Sequence, residues 1–287
     1  MDMDMDMGMG MDMGMDARSP RRFDLTSILS PDNLSMIVTP ERVVYAGLIG
    51  SPLKRTLGSI AIYASIGAPF LIRTAGSDWR TTCFAVIPPY QAHDLVSTDK
   101  IVCSLHVEPE SIDRTAAAEL MAMDGDDQAG AVTCAAFRAL VDGKATCAAS
   151  TPEIDCVFFG TSLPGRSMDP RIARAVAMMQ REAHDLACAK GYARLAGVSL
   201  SRFVHLFTLE VGTSFRRFRA WKRARSFLSL VRDSGNLTDI ALEAGYPDST
   251  HFSHSIRKIY GLRPKDILAG GRRLSVIRLS RAKSSHV

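Results

Sequence analysis

An α+β chain of several domains is the fold class that this sequence predicts. It has a β-rich front of barrel or sandwich type with Ala-rich helices, and an all-α back with two helix-turn-helix units joined by a long helix. Three observations lead there. Runs of five to nine residues rich in Val, Ile, Tyr and Thr, punctuated by Gly, Pro, Ser and Asp, recur between residues 23 and 110. From Arg171 onward, apolar residues recur at helical spacing between short breaks that hold Gly, Pro, Ser or Asn. Within that helical part, one pattern of helix, glycine corner, polar cap, helix and closing glycine occurs twice, at 192–212 and 239–261.

Taken in order, residues 1–22 are a low-complexity tail. MDMDMDMGMGMDMGMD alternates Met with Asp and Gly and cannot build a core, so it reads as disordered or as upstream of a true start near Met15. Residues 23–159 form the front domain. Its strand runs include RVVYAGLIG, SIAIYASI, PFLIRTA, TCFAVIP and KIVCSLHVEP. Residues 112–123 and 128–142 turn Ala-rich at helical spacing; they serve either to pair two copies of the chain or to cover the open end of the barrel. Residues 160–169, with Gly, Pro and Ser, are the linker, and Asp169-Pro170 opens the next helix as cap and first residue. The helical domain spans 170–268, with its long helix at 215–232, and a basic tail follows at 269–287.

Charge separates the two parts more sharply than the net +5 suggests. Residues 170–287 hold 22 Lys and Arg against 8 Asp and Glu, a net of +14, and the first 169 residues carry −9. A basic back on an acidic front points to a polyanionic partner. The longest apolar run, near residues 60–72, is too short to span a bilayer, and no secretory signal pattern precedes it. The six cysteines (83, 103, 134, 147, 156 and 188) include no C-x-x-C pair and no His at zinc spacing, so they read as reduced thiols of a cytoplasmic protein. No nucleophile elbow, phosphate loop or paired carboxylates mark a catalytic site, so no enzyme, cofactor or metal is expected.

The two repeated units place small Ala193 and Ala241 in their first helices, Gly197 and Gly245 at the corners, and Phe203 and Phe252 inward in the second helices. The next inward positions are Phe207 and Ile256. Facing outward are Ser201, Arg202, Val204, His205 and Thr208 in the first unit and Ser249, Thr250, Ser253, His254 and Arg257 in the second. Ser199 and Lys258 complete the candidate DNA-binding set. Short hydrogen-bonding and basic side chains on a helix just after a sharp turn are what a major groove accepts. The linking helix carries Phe215, Phe218, Trp221, Phe227, Leu228 and Val231 for burial against both units. Its Arg216, Arg217, Arg219, Lys222, Arg223 and Arg225 are candidate phosphate contacts or solvated charges.

Residues 170–268 resemble the DNA-binding domain of AraC/XylS-family bacterial transcription regulators. The family's first pattern is met by Tyr192, Ala193, Ser199, Ser201, Phe203, Phe207 and Gly212. Its second is met by Ile240, Ala241, Gly245, Tyr246, Asp248, Phe252, Arg257, Lys258, Tyr260, Gly261 and Pro264. Two departures stand out: Ile256 replaces a core Phe and His254 replaces an Arg, which removes a bidentate contact to guanine or phosphate. The resemblance implies two units about 34 Å apart in successive major grooves of double-stranded DNA. The strand pattern around FAVIPPYQAHDL and LHVEPES is similar to the cupin-like β-barrel sensor of such regulators. That implies a small-molecule effector, a homodimer, and RNA polymerase as partner where the protein activates. His93 and His106 form no His-x-His pair, so His93 reads as structural. The competing readings are an architectural or ligand-independent DNA binder, and a cupin or Ada-like enzyme carrying this DNA-binding module.

Overall fold

The β-branched runs of the front become strands because each has a side of the sheet to bury. The computed structural model describes residues 34–48, 54–97, 101–142, 150–181, 188–231, 236–271 and 274–278. The Met/Asp tail, Cys147 and residues 279–287 of the basic tail lie outside the described residues. Strands β1 (Leu34–Val38), β2 (Arg42–Leu48), β3 (Ile60–Ala64), β6 (Phe84–Ile87) and β8 (Ile101–Val107) make one sheet in the order β6-β3-β8-β2-β1. A second sheet has the order β5-β4-β7, from β4 (Phe70–Thr74), β5 (Arg80–Thr82) and β7 (His93–Ser97). Every pairing among these eight strands is antiparallel. Strand β3 is buried along its whole length because both its faces are covered. Ile60, Ile62 and Ala64 point to a helical layer, and Ala61 and Tyr63 point to the second sheet. This is the two-sheet, cupin-like front expected from the sequence.

Helices α1 (Arg114–Ala122), α2 (Asp127–Val141) and α3 (Thr151–Phe159) supply the helical layer. Asp113, Asp126 and Ser150 cap them by accepting backbone N–H groups. Gly130 sits in mid-helix because a Cβ there would lie 2.9 Å from Cβ of Phe84. The Ala-rich helices therefore lie on the outer face of the larger sheet and not over an open end of the barrel. Helix α3 was not anticipated from the sequence; a buried pair fixes it, with Arg42 Nε and Nη2 donating to Asp155 at 2.7 and 2.9 Å.

The helical back contains α4 (Pro170–Arg181), α5 (Ala189–Leu195), α6 (Leu200–Val211), α7 (Phe215–Ser226), α8 (Leu237–Glu243), α9 (Ser249–Tyr260) and α10 (Pro264–Gly271). Asp169 accepts the Arg171 backbone N–H at 2.9 Å, as the cap reading of Asp169-Pro170 requires. The linking helix ends earlier than the expected 232: it tightens into a 3-10 turn over Phe227–Leu230. No helix among the described residues is long and apolar enough to cross a membrane. Residues 274–278, which the sequence presents as part of a basic tail, form strand β9 (Leu274–Arg278). It pairs in parallel with β1, from Leu34↔Leu274 to Val38↔Arg278, and so makes the sixth strand of the larger sheet.

The apolar core falls into three parts. One is the helical layer over the larger sheet. A second lies wholly in the back and joins Ile172, Met179, Tyr192, Phe203, Phe207, Phe215 and Phe218. The third runs through both halves: Met36, Tyr63, Phe70 and Leu95 of the front share it with Trp221, Phe227, Ile240, Phe252 and Ile256. Trp221 thus packs as the core residue expected, but its cluster includes residues of the front as well as the back. Gly58 lies so close that a Cβ there would be 2.3 Å from the indole.

Ion pairs buried at the same seam reinforce it. Glu108, fully buried, accepts from Trp221 Nε1 at 2.8 Å and Lys222 Nζ at 2.5 Å, and its other oxygen lies 2.6 Å from Arg225 Nε. Lys222 also pairs with Glu110. Arg225 Nη2 donates to the Arg42 carbonyl at 3.1 Å, and Thr56 N donates to the Ile259 carbonyl at 2.9 Å.

Candidate nucleic-acid interface

The two readers are built from the same local rules. In each, a glycine corner takes a positive φ, +65° at Gly197 and +78° at Gly245. The residue after each corner ties back to the small Ala of the first helix: Val198 N to the Ala193 carbonyl at 3.1 Å, Tyr246 N to the Ala241 carbonyl at 2.8 Å. Each second helix ends at a left-handed glycine, Gly212 at φ +83° and Gly261 at +71°. Ser199 caps α6 by accepting Arg202 N, and Asp248 caps α9 by accepting Thr250 N and His251 N. The backbone N–H of His251 and its ring hold the Asp248 carboxyl below the usual range.

The caps set a register of 49 residues between the readers, one more than between their corners, because Pro247 lengthens the second turn. Phe203 and Phe252, Phe207 and Ile256, and Gly212 and Gly261 then correspond. On the outward face the same register pairs Ser201 with Thr250, Arg202 with His251, Val204 with Ser253, His205 with His254, and Thr208 with Arg257. All ten are exposed except Ser253, which is half-buried. Thr208 Oγ1 donates to the Val204 carbonyl at 2.9 Å, which limits what it can offer a base. Ser199 is engaged as a cap, Ser249 is half-buried at the first position of α9, and Lys258 is exposed.

His251 is absent from the sequence-derived set. Alignment on the serines places it one step out of phase, whereas alignment on Phe203 and Phe252 puts it opposite Arg202. Leu200, 47% exposed at the first turn of α6, is a second omission; it offers an apolar contact of the kind a thymine methyl accepts.

The basic linking helix divides. Arg216 and Arg217 are exposed, and the Arg217 guanidinium lies 4.7 Å from the centre of the Tyr90 ring. Lys222 and Arg225 are buried on Glu108 and Glu110, which removes them from the phosphate candidates in this conformation. The front also grips the far end of α6: Arg114 Nη2 donates to the Leu209 carbonyl at 2.6 Å, and Arg166 Nη2 donates to the Glu210 carbonyl. Both cations sit at the negative end of that helix dipole and leave its amino end outward.

His93, expected to be structural, is buried in the front. Its Nδ1 donates to the Gln91 carbonyl at 3.0 Å, and its Nε2 accepts from Tyr63 OH at 2.8 Å. Among the described residues no group of three or more His, Cys, Asp or Glu could hold a metal ion.

A family model described as a helix-turn-helix domain matches residues 192–270. The invasion protein InvF of Salmonella typhimurium is 32% identical over 72 residues, 25% of this chain and 33% of that protein. The chain thus spans about a third of the length of that relative. The crystal structure of ToxT from Vibrio cholerae O395 covers 80% of this chain and 96% of its own, at 12% identity and a TM-score of 0.51. A second ToxT structure, bound to (E)-4-(8-methylnaphthalen-1-yl)but-3-enoic acid, aligns over 80% of this chain and 99% of its own at 12% identity and 0.50. At those identities the likeness is one of fold: both halves, in the same order along the chain.

Proposed function

We propose, from the premise that residues 192–270 are a helix-turn-helix domain of the AraC/XylS type, that this protein is a sequence-specific, ligand-responsive transcription regulator. Two capped helices, α6 and α9, read successive major grooves of one duplex, and the front domain receives the effector. The observation that carries this reading is the 49-residue register. It brings two exposed faces of small polar, basic and imidazole side chains to equivalent places behind equivalent caps. The front shares a continuous core with α7 and α9, so a ligand that changes the front changes the population of DNA-competent states. The fold shared with ToxT, solved with a small carboxylic acid bound, supports a small-molecule effector. On this reading the protein works in the cytoplasm at the nucleoid, meets RNA polymerase where it activates, and pairs with a second copy where its operator holds paired sites. The reading requires no catalytic step.

Selection from a random duplex pool by the full-length chain at near-physiological salt tests this. Two motifs about one helical turn apart are expected. Binding that is independent of sequence and falls steeply with salt would instead favour the architectural reading. At the selected site, His205→Ala should lose about 1–3 kcal/mol and relax base choice in one half-site. An equal loss on every sequence, measured by competition titration, would show that His205 meets phosphate and not a base edge.

A further inference from the structure

Four cations are buried among the described residues: Arg42, Arg55, Lys222 and Arg225. Three of them face a carboxylate within ion-pair distance. Arg55, 7% exposed, has no such partner among the described residues, and its Nε and Nη2 are buried without a hydrogen bond. Its backbone is fixed: Arg55 N donates to the His93 carbonyl at 2.9 Å, and His93 N donates back at 3.1 Å.

The groups around the guanidinium are polar but uncharged. The field of Arg55 reaches Tyr45, Tyr63, His93 and His106, and the Tyr63 hydroxyl is close enough to accept a hydrogen bond from the guanidinium, which leaves Nε and Nη2 as the unpartnered nitrogens. Burial pulls His93 down to about 4 and His106 to about 3, so both imidazoles are neutral at pH 7. Burial also pushes Tyr45 up to about 12. His106 is held by Ser59 and Ser104 at 3.2 and 3.1 Å. Glu108, the carboxylate whose field reaches His106, is committed to Lys222 and Arg225. A desolvated guanidinium without a counterion among the described residues is unfavourable unless a bound anion supplies one.

The two orphaned nitrogens define the shape of that anion. Nε and Nη2 form one edge of the guanidinium and match two oxygens of a planar carboxylate. The same chain shows that edge in use, where Arg42 Nε and Nη2 hold the two oxygens of Asp155. We propose that Arg55 is the anion-binding residue of an effector site inside the front domain, and that its ligand is a small organic carboxylate seated on Nε and Nη2.

The position explains how such a ligand is felt, a step that rests on the ligand-responsive reading above. The residues after Arg55 reach the back domain at two points, where Thr56 bonds the end of α9 and Gly58 lies under Trp221, while between them the Leu57 carbonyl accepts from Tyr90 N of the front at 2.6 Å. Tyr90 in turn carries Arg217. An anion that reorients Arg55 therefore moves a segment in contact with both the linking helix and the second reader.

The test is thermal melting of the full-length chain at constant ionic strength with sodium acetate, benzoate or octanoate, against benzamide, octanol, sodium chloride and sodium phosphate. At least one carboxylate should raise the midpoint by several degrees at saturation while its uncharged counterpart does not. Arg55→Met should abolish that shift, and Arg55→Lys, a point donor without the fork, should keep less than half of it. Ligand-free Arg55→Met should melt no lower than the wild type, because it removes an uncompensated charge. A drop of several degrees in that variant, or no shift with any of the three carboxylates, would overturn the assignment. Equal shifts with chloride or phosphate would overturn the carboxylate and leave an inorganic-anion site. A carboxylate that binds through Arg55 without changing affinity for the selected operator would uphold the site and refute the ligand-responsive reading alone.

Discussion

Glu108→Gln is expected to destabilise the chain by about 3–5 kcal/mol at pH 7, because it strands Arg225 in a buried seam without its anion and leaves Lys222 only Glu110. Glu110→Gln is expected to change stability little, or to raise it. The difference follows from what surrounds each carboxyl. Burial alone would raise Glu108, but the Lys222 ammonium and the Arg225 guanidinium, helped by Trp221 Nε1, outweigh it and hold the group below its ordinary range. Burial raises Glu110, Lys222 offsets only part of that, and the neighbouring Glu108 charge adds to it. Gln180 Nε2 also faces Glu110, at 3.4 Å, and the Glu108 field reaches His106, Tyr90 and Tyr260.

The two carboxyls therefore respond to pH with opposite sign. A depressed carboxyl contributes stability above its unfolded pKa, near 4.3, and loses it as pH falls through the folded value. A raised carboxyl contributes below its unfolded pKa and loses that as pH rises, so ionised Glu110 is a net cost at neutral pH that the amide removes. Melts of both variants and the wild type from pH 2 to pH 8 check this. A fall in Glu110→Gln as large as that in Glu108→Gln would show that Lys222 needs both anions.

Phe207→Ala is expected to cost about 3–5 kcal/mol, and the loss should fall on the first reader. Its ring is fully buried, with centroids 5.8, 5.4 and 5.4 Å from those of Phe203, Phe215 and Phe218. That cluster contains no residue of the front domain, whereas the core of the second reader is continuous with it. Amide exchange should therefore quicken in α4–α6 before it does in α8 and α9, and DNA selection should retain only the second motif. Loss of protection in the front sheet at the same point would refute the independence of that core.

The sequence displayed what is local and repeated. Gly197, Gly212, Gly245 and Gly261 each mark a positive φ, and the caps before α4, α6 and α9 are short polar side chains in the expected places. The strand runs were readable because their β-branched content reflects burial on one or both faces. What stayed hidden depends on distance along the chain. Glu108 and Lys222 are 114 residues apart, and neither has a local pattern that announces a buried partner. Lys222 and Arg225 looked like phosphate contacts because a cation's sequence context is the same whether it meets DNA or a buried acid. Helix α3 escaped because TPEIDCVFF is short and has a Pro at its second position. His251 escaped because the serines before it suggest a register one residue away from that of the core phenylalanines.

The parallel pairing of β9 with β1 affects the design of chimaeras. Exchange of the helical part at residues 160–169, the break that composition suggests, would carry away the last strand of the front sheet as well. The recipient sheet would end at β1, with a row of main-chain donors and acceptors open to any extended segment in the same tube. Such hybrids would aggregate through a seam unrelated to operator choice. A cleaner exchange replaces 170–271 alone and keeps Leu274–Arg278 with the sheet that it completes.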